Sequence, residues 1–176
     1  MKKPSVSELI DILNKPKLMH WANKIGLEGK SLNDVRINNT TSGTNKHSEI
    51  VNYIRNGIKM SNYEVQNNLD AFLQDCYVIS LEQKFENDLF QGRVDIIFKK
   101  NDTIYIGDFK RSFKKPYLEH YIQLMCYKIH FKCEKICIIK SDNFEINELY
   151  LQGKENLYIE LINNLVNIYN IKQNLL

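Results

Sequence analysis

The chain has 176 residues, of which 24 are Lys or Arg and 21 are Asp or Glu, and its formal net charge is +3. A charged fraction of 26% with 43% hydrophobic residues excludes a membrane-embedded protein, and the length suits one domain with a sizeable core. The opening residues form no apolar signal segment. The sequence therefore predicts a cytoplasmic protein without membrane contact, and its small positive charge permits an anionic partner without requiring one.

Residues 1–75 are predicted to be mainly helical. Ser5 and Glu8, three residues apart after Pro4, have the spacing of a capping box and predict an opening helix. A second helix is predicted over KPKLMHWANKIGLEG. The next segment, 33–45, reads NDVRINNTTSGTN and has no apolar period, so it is predicted to be a loop. Further helices are predicted over KHSEIVNYIRNGI and over residues 63–74, where apolar residues recur at helical spacing.

Residues 76–151 are predicted to form the core sheet with a crossover helix. The predicted strands are CYVISLEQKFE, the two halves of a hairpin within GRVDIIFKKNDTIYIGDFKRS, EKICIIK and FEINELYL. A helix over about 117–131 separates the hairpin from the fourth strand, and residues 152–176 form a closing helix. This order predicts a single α/β domain over 1–176, with a mixed central sheet flanked by helices.

Two aspartates interrupt the apolar strands of the hairpin. If Asn101 and Asp102 are the central residues of a two-residue turn, Asp95 falls opposite Asp108. Like charges at directly opposed positions, roughly 4.5–5.5 Å apart at Cβ, destabilise a strand pair. Asp108 and Lys110 are two apart on one strand, so both side chains point to the same face.

Two interpretations of this arrangement remain open from spacing alone. Carboxylates that are brought together in partial burial either share a proton or bind a cation, and hard oxygen ligands favour an ion of the magnesium or manganese type. Alternatively, Asp95 and Asp108 lie on an exposed face and pair with Arg93 and Lys110. In the same register, Arg93 would face Lys110.

The pattern GRVD, followed by a hydrophobic strand that ends in IGDFK, resembles the core of the PD-(D/E)XK nuclease superfamily, in particular its RecB-like branch. Three further elements are similar to that branch and occur in the same order. They are His47 after a Gly43-Thr44 turn, Glu82 on the strand before the hairpin, and Gln123 with Tyr127 four apart on a helix.

The opening segment PSVSELIDILNKPKLMHWANK carries a finer likeness. It is similar to the start of phage exonucleases and mitochondrial genome maintenance exonucleases. This likeness favours an exonuclease over a restriction enzyme or a junction resolvase.

The resemblance implies a PD-(D/E)XK core and one or two Mg²⁺ or Mn²⁺ ions, bound by His47, Asp95, Asp108 and the carbonyl of Phe109. It also implies that Lys110 orients or deprotonates the attacking water and that Glu82 supports the metal or its water shell. The residues expected to contact DNA are Ser7, Thr44, Arg111, Ser112, Gln123 and Tyr127.

The expected function is a metal-dependent DNA exonuclease that acts on single-stranded DNA or duplex ends. The alternatives are a structure-selective or restriction-type endonuclease on the same fold, and a nucleic-acid-binding module without turnover. Some RecB-like nucleases hold an iron–sulfur cluster with four cysteines. The spacing of Cys76, Cys126, Cys133 and Cys137 departs from that arrangement, so we predict no cluster and instead reduced, packed thiols.

Overall fold

A computed structural model describes residues 2–13, 16–111 and 113–175, with side chains except at 16–18, 36 and 38–44. The chain is built from helices around one sheet. In order, the elements are α1 (Val6–Asp11), α2 (Pro16–Leu27), α3 (Leu32–Asn56), α4 (Tyr63–Asp75), β1 (Tyr77–Glu86), β2 (Gln91–Lys100), β3 (Thr103–Lys110), α5 (Leu118–Phe131), β4 (Lys135–Lys140), β5 (Ile146–Glu148) and α6 (Glu155–Leu175).

The chain divides into two compact units. The first comprises Met1–Ile12 with Asn62–Leu176 and contains α1, α4, the whole sheet, α5 and α6. The second, Leu13–Ser61, contains α2 and α3. The single domain expected from the chain length stays a prediction.

The loop predicted over 33–45 is wrong, because that segment lies inside α3, a helix of 25 residues. The prediction relied on the missing apolar period. Ser31 caps the helix by accepting a hydrogen bond from Asp34 N–H, and once a helix has started, each added residue gains one backbone hydrogen bond. The expected Gly43-Thr44 turn is therefore also wrong. Gly57 ends the helix with φ of 66°, which leaves Ile58, expected to be helical, outside it.

The sheet is mixed, with the strand order β1-β2-β3-β4-β5. β1, β2 and β3 are antiparallel neighbours, β3 and β4 are parallel, and β4 and β5 are antiparallel. A parallel pair needs a long crossover connection, and α5 supplies it here. This confirms the predicted α/β class with a mixed sheet flanked by helices, although β5 is only three residues long and shorter than expected.

The β2–β3 hairpin has the predicted register. Lys100 pairs with Thr103, and the ladder continues to the pair of Ile96 and Gly107. Asn101 and Asp102 both have positive φ, 48° and 62°. A two-residue type I′ turn requires positive φ at both central residues, and its twist matches that of the flanking strands.

Helices cover both faces of the sheet. Phe98 and Tyr105 are paired across β2 and β3 and stack at 5.1 Å, and Phe72 of α4 packs edge-on against Phe98 at 5.4 Å. Residues on alternate positions of β3 point the other way, toward α5, whose Ile122 and Met125 are buried. Asp108 and Lys110, which point to this face, lie at the end of β3.

All four cysteines are free and buried, which agrees with their predicted packing. Burial raises the pKa of the Cys126 thiol to about 12 and that of the Cys133 thiol to about 11. Within the described residues, no helix combines the length and the apolar character needed to cross a membrane.

Candidate active site

Asp108 is the buried acidic group at the end of β3, with only 3% of its surface exposed. The Nζ of Lys110, two residues further along the same strand, lies 2.7 Å from Asp108 Oδ2. Burial lowers the pKa of Lys110, but the negative charges of Asp108 and Asp95 and the contact with Asp108 outweigh it, so the net shift is upward. The exposed sheet face of the alternative interpretation is therefore wrong for Asp108, while its ion pair with Lys110 is present.

Asp95 does not form a regular ladder pair with Asp108. The β2–β3 pairing ends at Ile96 and Gly107, and the Oδ2 of Asp95 instead accepts a hydrogen bond of 2.9 Å from the backbone N–H of Phe109. Burial, followed by the charge of Asp108, raises the pKa of Asp95 to about 7. The two carboxylates are thus electrostatically coupled, as the like-charge argument predicts.

Glu82 and Arg93 form the outer edge of the acidic group. Glu82 lies in the register between the pairs Leu81↔Ile96 and Gln83↔Val94, opposite Asp95, and has φ of 53°. Arg93 Nη1 contacts Glu82 Oε2 at 2.8 Å. The β2–β3 ladder ends at Ile96 and Gly107, so the expectation that Arg93 faces Lys110 in that ladder is wrong. A non-glycine residue at positive φ is strained, and such strain clusters at functional sites.

Gln123 and Tyr127 lie on one face of α5, as their four-residue spacing predicts, and Gln123 contacts Asp108. Gln123 Nε2 lies 2.9 Å from Asp108 Oδ1, to which it donates, and 3.2 Å from the Tyr127 hydroxyl. Burial raises the pKa of Tyr127, and the nearby charges of Asp108 and Asp95 add to the rise. Tyr127 therefore remains a neutral hydroxyl that can donate or accept a hydrogen bond.

His120 is a neighbour of the site that the sequence reasoning did not assign. Its Nδ1 accepts a hydrogen bond of 3.1 Å from Tyr117 N–H, and its ring lies 5.9 Å from that of Phe113. Burial and the charge of Lys110 lower the pKa of His120. Its position three residues before Gln123, on the same helix face, is the sequence signal that could have identified it.

A cleft of about 810 Å³ opens beside Asp95. Ser7 of α1 lines it together with Gln123 and Tyr127 of α5, so the structure brings these three expected DNA contacts to one cavity. Two cations that were not expected as DNA contacts from the sequence, Lys84 and Arg93, also line it. Identifying them required the β1–β2 register.

The expected residues that remain are His47, Arg111, Ser112 and Thr44. His47 lies in α3, within the second unit, so its role rests on the sequence pattern. Arg111 is exposed directly after β3. Ser112 and the side chain of Thr44 lie outside the described part of the structure.

The acidic side chains of the first unit fit a hard divalent ion. Carboxylate oxygens of Glu82 and Asp95 lie within 4.8 Å of each other. Among the described side chains, Asp108 Oδ2 is a buried atom that accepts no hydrogen bond of ordinary geometry, although the Lys110 ammonium offsets its charge. Closely placed carboxylate oxygens are the ligands that Mg²⁺ and Mn²⁺ prefer.

No protein-family model matches the sequence, and no curated protein matches it. One solved structure that is similar to the chain is that of SSO0001, with 17% sequence identity and a TM-score of 0.43. The match covers 96% of this chain and 77% of that chain. A likeness of this extent carries no argument about function.

Proposed function

We propose that the protein is a metal-dependent deoxyribonuclease of the PD-(D/E)XK type, and that it acts as an exonuclease on single-stranded DNA or duplex ends. The observation that carries the proposal is the coupled acidic pair with its lysine. Asp108 is 3% exposed and 2.7 Å from Lys110 Nζ, and Asp95 beside it has its pKa raised to about 7. The preference for DNA ends rests on the sequence of the opening segment.

Asp95, Asp108, Glu82 and the Phe109 carbonyl would hold one or two Mg²⁺ or Mn²⁺ ions, with His47 as the further ligand that the sequence pattern implies. When bound, such an ion polarises the phosphate, lowers the pKa of water and stabilises the leaving oxygen. A binding module would have no need for clustered acids beside phosphates, because they repel the ligand.

Lys110 would orient the attacking water and stabilise negative charge on the phosphate. Because its pKa is raised, the side chain is an ammonium at neutral pH, which favours orientation over deprotonation in the metal-free protein. Gln123 Nε2 donates a hydrogen bond of 2.9 Å to Asp108 Oδ1 and so fixes the orientation of the carboxylate that would hold the metal ion. Preorganised polar groups of this kind account for much of the rate of comparable reactions.

The test of the proposal is degradation of end-labelled linear DNA and of circular DNA with manganese, magnesium or chelator. We expect digestion of linear DNA only, and only with a metal ion. Cleavage of circles would replace the exonuclease by an endonuclease. Retention of DNA without products would indicate the binding module and would end the proposal.

The site variants are Asp108→Asn and Lys110→Ala. Each is expected to lower the rate of digestion by at least about a hundredfold, because Asp108→Asn weakens a carboxylate that would hold the metal ion and Lys110→Ala removes the cation that would stabilise charge on the phosphate. Matched controls are Asp102→Asn and Lys99→Ala, which make the same changes at the exposed turn of the same hairpin. Native rates in either site variant, or equal losses in the controls, would show that the site is wrongly assigned.

A further inference from the structure

Two rows of like charges cross the strand pair β1–β2. In the first row, Glu82 faces Asp95, and their carboxylate oxygens approach within 4.8 Å. In the second row, two residues after Glu82 on β1 and two residues before Asp95 on β2, Lys84 pairs with Arg93. Opposed like charges destabilise a sheet, so each row favours a ligand of the opposite sign, and the contact between Arg93 and Glu82 joins the two rows.

The distance between the rows suits a nucleic-acid strand. Two residues along a strand span roughly 6.8 Å, which is comparable with the separation of successive phosphates in an extended single strand. A cation in the acidic row would take one phosphate, and the Lys84–Arg93 row would then take the next. Both basic residues line the same cleft as Asp95.

Arg93 already has a partner that a phosphate can replace. Its Nη1 lies 2.8 Å from Glu82 Oε2, and its side chain is 58% exposed while that of Glu82 is 17% exposed. Guanidinium groups bind phosphate as readily as carboxylate, through parallel N–H donors. A phosphate in the second row would therefore draw Arg93 away from Glu82 and leave that carboxylate to the cation of the first row.

The cleft has the size and lining for one strand. Its volume of about 810 Å³ lies within the range that encloses ligands of nucleotide size, which a duplex exceeds. The aromatic residues among its described lining are Phe85 and Tyr127, and both are buried. Because neither of these rings is exposed for stacking, the described lining offers charged groups to the backbone rather than rings to the bases.

We propose that Lys84 and Arg93 form a seat, meaning a binding site, for the backbone phosphate next to the scissile one in single-stranded DNA, and that Arg93 exchanges Glu82 for this phosphate. The proposal rests on the proposed nuclease function for the meaning of the scissile phosphate. The seat itself requires only an anionic strand in the cleft.

The test measures binding of a short fluorescent single-stranded DNA to the full chain by anisotropy, in chelator, across a range of salt concentrations. Each phosphate contact in a single strand contributes about 0.7 to the slope of log affinity against log salt. Lys84→Ala and Arg93→Ala are each expected to reduce the slope by about 0.7, and the double variant by about twice that. Lys100→Ala, at the other end of β2, is the matched control, and Arg93→Lys should keep the slope.

Glu82→Gln tests the exchange. This substitution removes the competitor of phosphate for Arg93, so binding in chelator should become tighter, and the gain should vanish when Arg93→Ala is added. An unchanged affinity in Glu82→Gln, or an unchanged slope in the Lys84→Ala, Arg93→Ala double variant, would overturn the proposal. Blunt duplex DNA that binds as tightly and with the same dependence on Lys84 and Arg93 would overturn the assignment to a single strand.

Failure of the seat and failure of the nuclease are distinguishable. If the chain digests DNA but the double variant binds as the native protein does, the seat is wrong and the nuclease stands. If the chain never digests DNA but binding depends on both cations, the seat stands on a binding protein.

Discussion

Asp95 joins the chemistry of the site to the architecture of the sheet. Its carboxylate accepts the Phe109 N–H at 2.9 Å where the β2–β3 ladder has ended, and burial and the charge of Asp108 raise its pKa to about 7. The ordinary pKa of this side chain is 3.8. The folded state therefore binds the Asp95 proton more tightly than the unfolded state does.

This shift predicts how the stability of the metal-free protein depends on pH. Since the folded pKa is raised, the contribution of Asp95 is fully present below pH 3.8 and is lost as pH rises through about 7. Asp95→Asn keeps an oxygen for Phe109 N–H but carries no charge. Its free energy of unfolding relative to the native protein should rise by on the order of a few kcal/mol between about pH 5 and pH 8.

Denaturant unfolding in chelator at several pH values checks this expectation. Asp102→Asn is the control, because that carboxyl is exposed and Lys99 lowers its pKa, the opposite direction. If the two variants followed the native protein equally across the range, Asp95 would not have the environment described.

Side-chain directions on β3 could be predicted from sequence, but the contacts around them could not. Strand alternation places Asp108 and Lys110 on one face, and the two-residue turn fixes the β2–β3 register as far as Ile96 and Gly107. The bond from Phe109 N–H to Asp95 depends on where the ladder stops. The contact of Arg93 with Glu82 depends on the β1 register, which shifts between Val78 and Ser80.

Among the elements, α1 shows how a short helix is held in place. It has only six residues, but the capping box of Ser5 and Glu8 is complete, and Val6 and Leu9 are buried. Ser5 also forms a bridge with Gln91 at the start of β2. The helix thereby presents the exposed Ser7 to the cleft.

Loss of the Ser5 cap of α1 should lower the stability of the protein without changing the acidic residues of the candidate site. Ser5→Ala removes the acceptor of Glu8 N–H and is expected to lower the free energy of unfolding by about 1 kcal/mol. Ser7→Ala makes the same change two residues on, at an exposed position, and should leave stability within about 0.5 kcal/mol. Chemical denaturation compares the two, and equal effects would contradict the capping role of Ser5.

The elements with apolar periodicity or turn chemistry were predictable, and α3 shows the limit of that approach. Its polar first half has no apolar stripe, so pattern reasoning assigned a loop. The helix is set by its cap at Ser31 and by the amphipathic stretch around Ile50 and Val51, which are buried. A helix that is continued from a favourable segment needs no periodicity of its own.

At the scale of the whole molecule, the order of elements was enough to predict a mixed sheet. Adjacent strands joined by short turns pair antiparallel, and a helix between strands allows a parallel pair. The division into two units could not be predicted in the same way. It depends on which helices pack together, and the polar sequence of α3 gives no such information.

The thiols offer a test of packing across the first unit. All four are buried, and burial raises the pKa of each, Cys76 and Cys137 included. Because the thiolate is the reactive form, we expect slow modification of every cysteine by a disulfide reagent in the native protein at neutral pH. In denaturant, four thiols should react rapidly. A cysteine that reacts in the native chain at the rate of a free thiol would contradict this packing.

The hydrogen bond between the Phe109 N–H and Asp95 decides which substitution gives an inactive variant that can still capture DNA. The Lys110 ammonium contacts Asp108 of its own strand, so Lys110→Ala should abolish turnover while keeping the hydrogen bond between Phe109 N–H and Asp95. Asp95→Ala would also remove the acceptor of the Phe109 N–H, which links β2 to β3 beyond the end of their ladder. An inactive but folded variant for capturing DNA should therefore carry Lys110→Ala and keep Asp95.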